Sequence, residues 1–171
     1  MHLEKLLNIL HYCFYLIDVK LHFLSNKINP FVHLGNIPFL KRRIKKQGID
    51  NPKEYIIETV NDVWTNKENG FSIWTSGGVL GGSFAVVLFS LILIAEEIYS
   101  FELPEKSIVI LILVIPSYLV LEIFIWRKDK YLKYFDEFEK WSKKTKRRNV
   151  LLSFGYLIGV IIFFFWSLFY K

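Results

Sequence analysis

The chain has 171 residues, of which 53% are apolar and 18% aromatic, and its formal net charge is +6. Length alone would allow one soluble domain, but the apolar residues gather in three long runs, which excludes an ordinary water-soluble core. The positive charge sits beside those runs, so lipid headgroups account for it better than nucleic acid does.

Residues 3–24 read as a helix. Leu3, Leu7, Leu10, Phe14, Ile17, Leu21 and Leu24 form an apolar stripe, and Glu4, Asn8, His11, Tyr15, Asp18, His22 and Ser25 form a polar one,. A helix apolar over most of its circumference suits the membrane interface or packing against other helices. A fourth crossing over 6–24 is the weaker alternative. It would carry Asp18 and Lys20 into hydrocarbon at about 2.5–3.5 kcal/mol each. His11, Asp18 and His22 share the polar stripe, but no fourth ligand accompanies them, so a solvated seam is expected rather than a metal site. Cys13 is the only cysteine, which excludes an intrachain disulfide,. It is expected to act as a small apolar side chain. No removable signal peptide is expected at the N-terminus.

Asn29-Pro30 and Asn36-Ile37-Pro38 should break the helix. Lys41, Arg42, Arg43, Lys45 and Lys46 follow as a dense cationic cluster suited to anionic headgroups. Gly48 closes that segment. Asn51-Pro52 then caps an amphipathic helix over 52–65, with Tyr55, Ile56, Ile57, Val60, Val63 and Trp64 on its apolar side.

Three crossings are predicted over about 73–95, 108–126 and 150–170, each long enough to span about 30 Å of hydrocarbon. The first contains the small-residue pairs Gly77/Gly81 and Gly78/Gly82, and the third contains Gly155/Gly159. Such pairs let helices approach closely in lipid, within the chain or between copies. They are no nucleotide loop, because no Gly-Lys-Ser/Thr follows them. The second crossing contains Pro116, Ser117, Tyr118 and Glu122. Tyr118 and Glu122 share a face and are the candidate lining of an ion or proton path. The alternative for Glu122 is pairing with nearby basic residues. The connector 127–149 is expected to continue as a helix. Tyr131, Tyr134, Phe135, Phe138 and Trp141 form its apolar face, and Lys143, Lys144, Lys146, Arg147 and Arg148 form a second cluster for lipid headgroups. Phe163, Phe164, Phe165, Trp166, Phe169 and Tyr170 make an aromatic belt.

The expected fold is therefore all-α: a polytopic membrane protein with three transmembrane helices, preceded over 1–71 by cytoplasmic or interfacial amphipathic helices, with 72–171 holding the spans. Ten Lys or Arg precede residue 71 and ten more lie in 127–149, whereas the connector after the first span carries Glu96, Glu97, Glu102 and Glu105. Basic flanks stay inside. This places the N-terminus in the cytoplasm and the C-terminus outside. Lysine far exceeds arginine, in keeping with an AT-rich genome, and the expected location is a bacterial inner membrane. No Ser, His and Cys arrangement suggests catalysis, and no metal or cofactor is expected. The expected role is non-catalytic: binding or scaffolding a protein partner at the cytoplasmic face or in the bilayer, as an accessory or immunity-type protein. The alternative is a homo-oligomeric pore or transporter subunit.

Overall fold

The computed structural model describes residues 2–26, 37–102 and 104–170. The breaks expected at Asn29-Pro30 and Asn36 lie outside the described residues. Apart from short connecting turns the described residues are helical, with no strand among them. In order come α1 (His2–Ser25), α2 (Pro38–Lys45), α3 (Pro52–Thr65), α4 (Phe71–Tyr99), α5 (Lys106–Leu121), α6 (Lys130–Glu139) and α7 (Lys143–Leu168). Three helical stretches are long and apolar enough to cross a membrane: α4, α5 with its continuation, and α7. The protein is thus an all-α membrane protein with three spans.

Two compact units are present. The first takes 1–14 and 76–171, the second 15–75. In the first unit the spans face one another through small and branched side chains: Ser76, Leu80, Ser83 and Ser90 of α4, Ser117 and Leu121 of α5, and Asn149, Ser153, Val160 and Ser167 of α7 are buried. The serines fold back on their own helices, with Ser83, Ser90, Ser117, Ser153 and Ser167 donating to the carbonyls of Leu80, Val86, Leu113, Asn149 and Phe164. A serine bonded in this way behaves as a small residue and lets backbones approach without leaving a polar atom in hydrocarbon. One cross-helix bond adds to this, between Ser83 Oγ and Tyr156 OH at 2.8 Å.

The glycines divide. A Cβ on Gly77 would stand 2.6 Å from Trp126 Cζ2, and one on Gly81 would stand 2.8 Å from Leu121 Cδ1. Those two glycines therefore seat the end of α5 against α4. Gly78, Gly82, Gly155 and Gly159 have open space where a Cβ would be.

In the second unit, the turn after α2 closes at Gly48, whose φ of 81° favours a residue without a Cβ,. Asn51 caps α3 as expected: Glu54 N donates to its side chain, and its amide donates back to Glu54 Oε2 at 2.8 Å,. The polar stripe of α1 is not a wet seam here, which corrects that expectation. Trp64 Nε1 donates to Asp18 Oδ2 at 3.0 Å and Ser72 Oγ donates to the same oxygen at 2.7 Å. His22 stacks on Trp64 at 4.9 Å between ring centres and lies 3.0 Å from Asn61 Oδ1. Tyr15 OH donates to Thr65 O at 2.6 Å. The stripe is polar because α3 and the start of α4 present hydrogen-bonding partners to it.

Candidate functional site

The apolar run of the second span stops at Trp126, and three charged residues follow. At this point the backbone widens into a π-helical turn over Glu122–Trp126, in which Arg127 N–H donates to Glu122 O. It then reverses through two left-handed residues, Lys128 (φ 60°, ψ 33°) and Asp129 (φ 50°, ψ 37°), before α6 begins. The continuous helix expected over 127–149 is therefore broken twice, at this reversal and again between α6 and α7. Asp tolerates the left-handed region, whereas Lys pays for it, at about 1 kcal/mol. Burial of the aromatic face of α6 offsets that cost,.

That face packs on α1. Tyr131, Phe135 and Phe138 are buried. Tyr12 meets Phe135 edge-on at 4.9 Å and Phe138 at 5.6 Å. His11 sits among Trp126, Phe135 and Tyr131 at 5.2, 5.2 and 5.8 Å. Carbonyls displaced by the π turn find side-chain donors: Asn8 Nδ2 donates to Phe124 O and Lys130 Nζ donates to Ile123 O, both at 3.0 Å. The widened turn is thus satisfied by one residue from each helix that flanks it.

Outside the aromatic layer lies a charged groove of about 430 Å³, lined by Glu4, Lys5, Lys130, Lys133, Tyr134 and Glu137. Lys130 Nζ donates to Glu4 Oε2 at 3.0 Å, and Tyr134 OH donates to Glu4 Oε1 at 3.2 Å. The Lys130 ammonium holds the Glu4 carboxyl below its ordinary value, against the opposing effect of partial burial,. Lys5 pairs with Glu137 at 2.6 Å in an exposed position. Lys133 has no ion-pair partner among the described residues. The groove thus carries charges of both signs, and its ion pairs are worth at most about 1 kcal/mol each,.

The residues singled out from sequence fall elsewhere. Tyr118 is 58% exposed on the outer surface of α5, and Glu122 is half-buried at the start of the π turn without an ion pair among the described residues. Lys41, Arg42, Arg43, Lys45 and Lys46 are exposed on and just after α2, beside Phe39, which is 70% exposed. Lys143, Lys144, Lys146, Arg147 and Arg148 occupy the opening turns of α7. Cys13 is wholly buried, and that burial pushes its thiol above the ordinary 9.0, partly offset by a hydrogen bond with Ser153. Such a thiol is a poor nucleophile. Among the described residues no three His, Cys, Asp or Glu side chains come together as metal ligands.

Sequence reasoning did not find the Glu4–Lys130–Tyr134 cluster. Glu4 and Lys130 are 126 positions apart, and the packing of α1 on the π turn and α6 joins them. No known protein family, curated protein or solved structure matches the chain.

Proposed function

We propose that this is a non-catalytic integral membrane protein that binds a protein partner at its basic, cytoplasmic side, with the N-terminus inside and the C-terminus outside. The observation that carries the reading is the groove around Lys133. It is a solvent-facing, charged concavity whose Lys133 ammonium has no ion-pair partner among the described residues, at the end of a bundle whose own interior is filled by packed side chains. The basic clusters add a lipid-anchoring role. Five cations in the first turns of α7 oppose the helix dipole, at about 0.3–1 kcal/mol each in an exposed setting. Attraction to an anionic leaflet of about 1 kcal/mol per residue outweighs that cost. Photocrosslinking tests the partner. A photoreactive residue at position 133 should yield one discrete protein adduct in native membranes, and the same probe at Phe154 on α7 should not. Absence of any protein adduct at 133 removes the reading.

A homo-oligomeric pore is the second reading, and the open faces at Gly78/Gly82 and Gly155/Gly159 favour it. Several copies would be needed to enclose Tyr118 and Glu122, since Tyr118 faces outward in one chain. Liposome flux that is nil, or unaltered by Glu122→Gln, eliminates the pore.

A further inference from the structure

We infer that the groove between α4 and α5, at the acidic end of the bundle, is a phospholipid site, with one acyl chain lying along the groove and the headgroup phosphate paired with Lys106. The groove holds about 580 Å³ and is lined by Phe89 of α4, by Pro104, and by Lys106, Val109, Ile110 and Leu113 of α5. At their other end the two helices are drawn together, where Gly77 and Gly81 admit Trp126 and Leu121. Near Phe89 no glycine permits the same approach.

Among the described residues Lys106 supplies the only ionisable group in the lining. It is also the only Lys or Arg between Lys67 and Arg127, in a connector that carries Glu96, Glu97, Glu102 and Glu105. It pairs with none of these among the described residues. A lysine whose stem lies along an apolar groove keeps its ammonium at the polar layer. The occupant must be hydrocarbon along the helices and anionic at the mouth, and a phospholipid meets both requirements. A second copy of the chain at this face would set its own four glutamates against these four. Like charges disfavour that occupant.

The test uses the full chain in phospholipid bilayers with benzoylphenylalanine at Val109. Adducts of phospholipid mass are expected there, at several times the yield given by the same probe at Ile161, an exposed α7 position outside the groove. Lys106→Gln should lower the yield at 109 by about fivefold, the weight of one cation at a bilayer surface, and Lys106→Arg should preserve it. Reconstitution in a phosphate-free glycolipid should lower it equally. Equal yields at 109 and 161, indifference to Lys106→Gln, undiminished labelling by the glycolipid, or a protein adduct at 109 each overturn the assignment.

Discussion

Two glycines of α4 one residue apart have opposite surroundings. At Gly77 a methyl group would strike the ring of Trp126, which is fixed among His11 and Tyr131, whereas at Gly78 it would enter open space. Gly77→Ala should therefore destabilise by about 1–3 kcal/mol through overpacking. Gly78→Ala should be neutral or stabilising by up to about 1 kcal/mol, since alanine is the better helix former. Reversible unfolding in detergent distinguishes them. Gly81→Ala should cost less than Gly77→Ala, because it meets the flexible end of Leu121. Glu4 supplies a second test at this scale. Its folded pKa is depressed, so its contribution is present above the unfolded value near 4.5 and is lost as pH falls through the lower folded value,. The wild type should lose about 1 kcal/mol more than Glu4→Gln across that acidic window, followed by tryptophan fluorescence of the bundle.

The helices that a single periodicity specifies were legible in the sequence. Asn51-Pro52 announces α3, and unbroken apolar runs announce α4, α5 and α7. The break after Trp126 was not legible, because nothing in Arg127-Lys128-Asp129 resembles a glycine or proline stop. The aromatic spacing of 131–141 continues the helical rhythm on either reading. What decides it is tertiary: α1 offers Tyr12 and His11 as a seat, and the chain must reverse to reach them. The same dependence hid the candidate site, since its residues come from both ends of the sequence. Lys128→Gly should stabilise the protein by about 1 kcal/mol, by removing the left-handed penalty from a residue that has a Cβ. A lower midpoint in thermal unfolding would refute the strain. Phe135→Ala, at a wholly buried position, should cost about 3–5 kcal/mol,, and should loosen α1 from α6 in hydrogen exchange.

For the whole molecule, charge placement sets the orientation proposed above. Basic residues flank one end of the spans, and glutamates occupy the connector at the other,. Tags at the two termini should be accessible from opposite compartments: the N-terminal tag only after permeabilisation, the C-terminal tag in intact cells. Access to both from one side would refute the orientation and return attention to 6–24 as a crossing. The helical, three-span character was readable because the bilayer imposes it residue by residue. The packing of α1 was not, since Asn8, His11, Tyr12 and Asp18 meet partners encoded far downstream.

This last arrangement has a consequence for synthesis. Residues 2–14 leave the ribosome well before Phe135, Phe138 and Ser153, against which they rest. Throughout elongation the nascent N-terminal helix has no finished seat, and Asn8 and His11 lack the surroundings that bury them in the mature protein. The packing of α1 therefore waits on α6 and α7, and a chain cut short before α6 leaves α1 open to proteolysis.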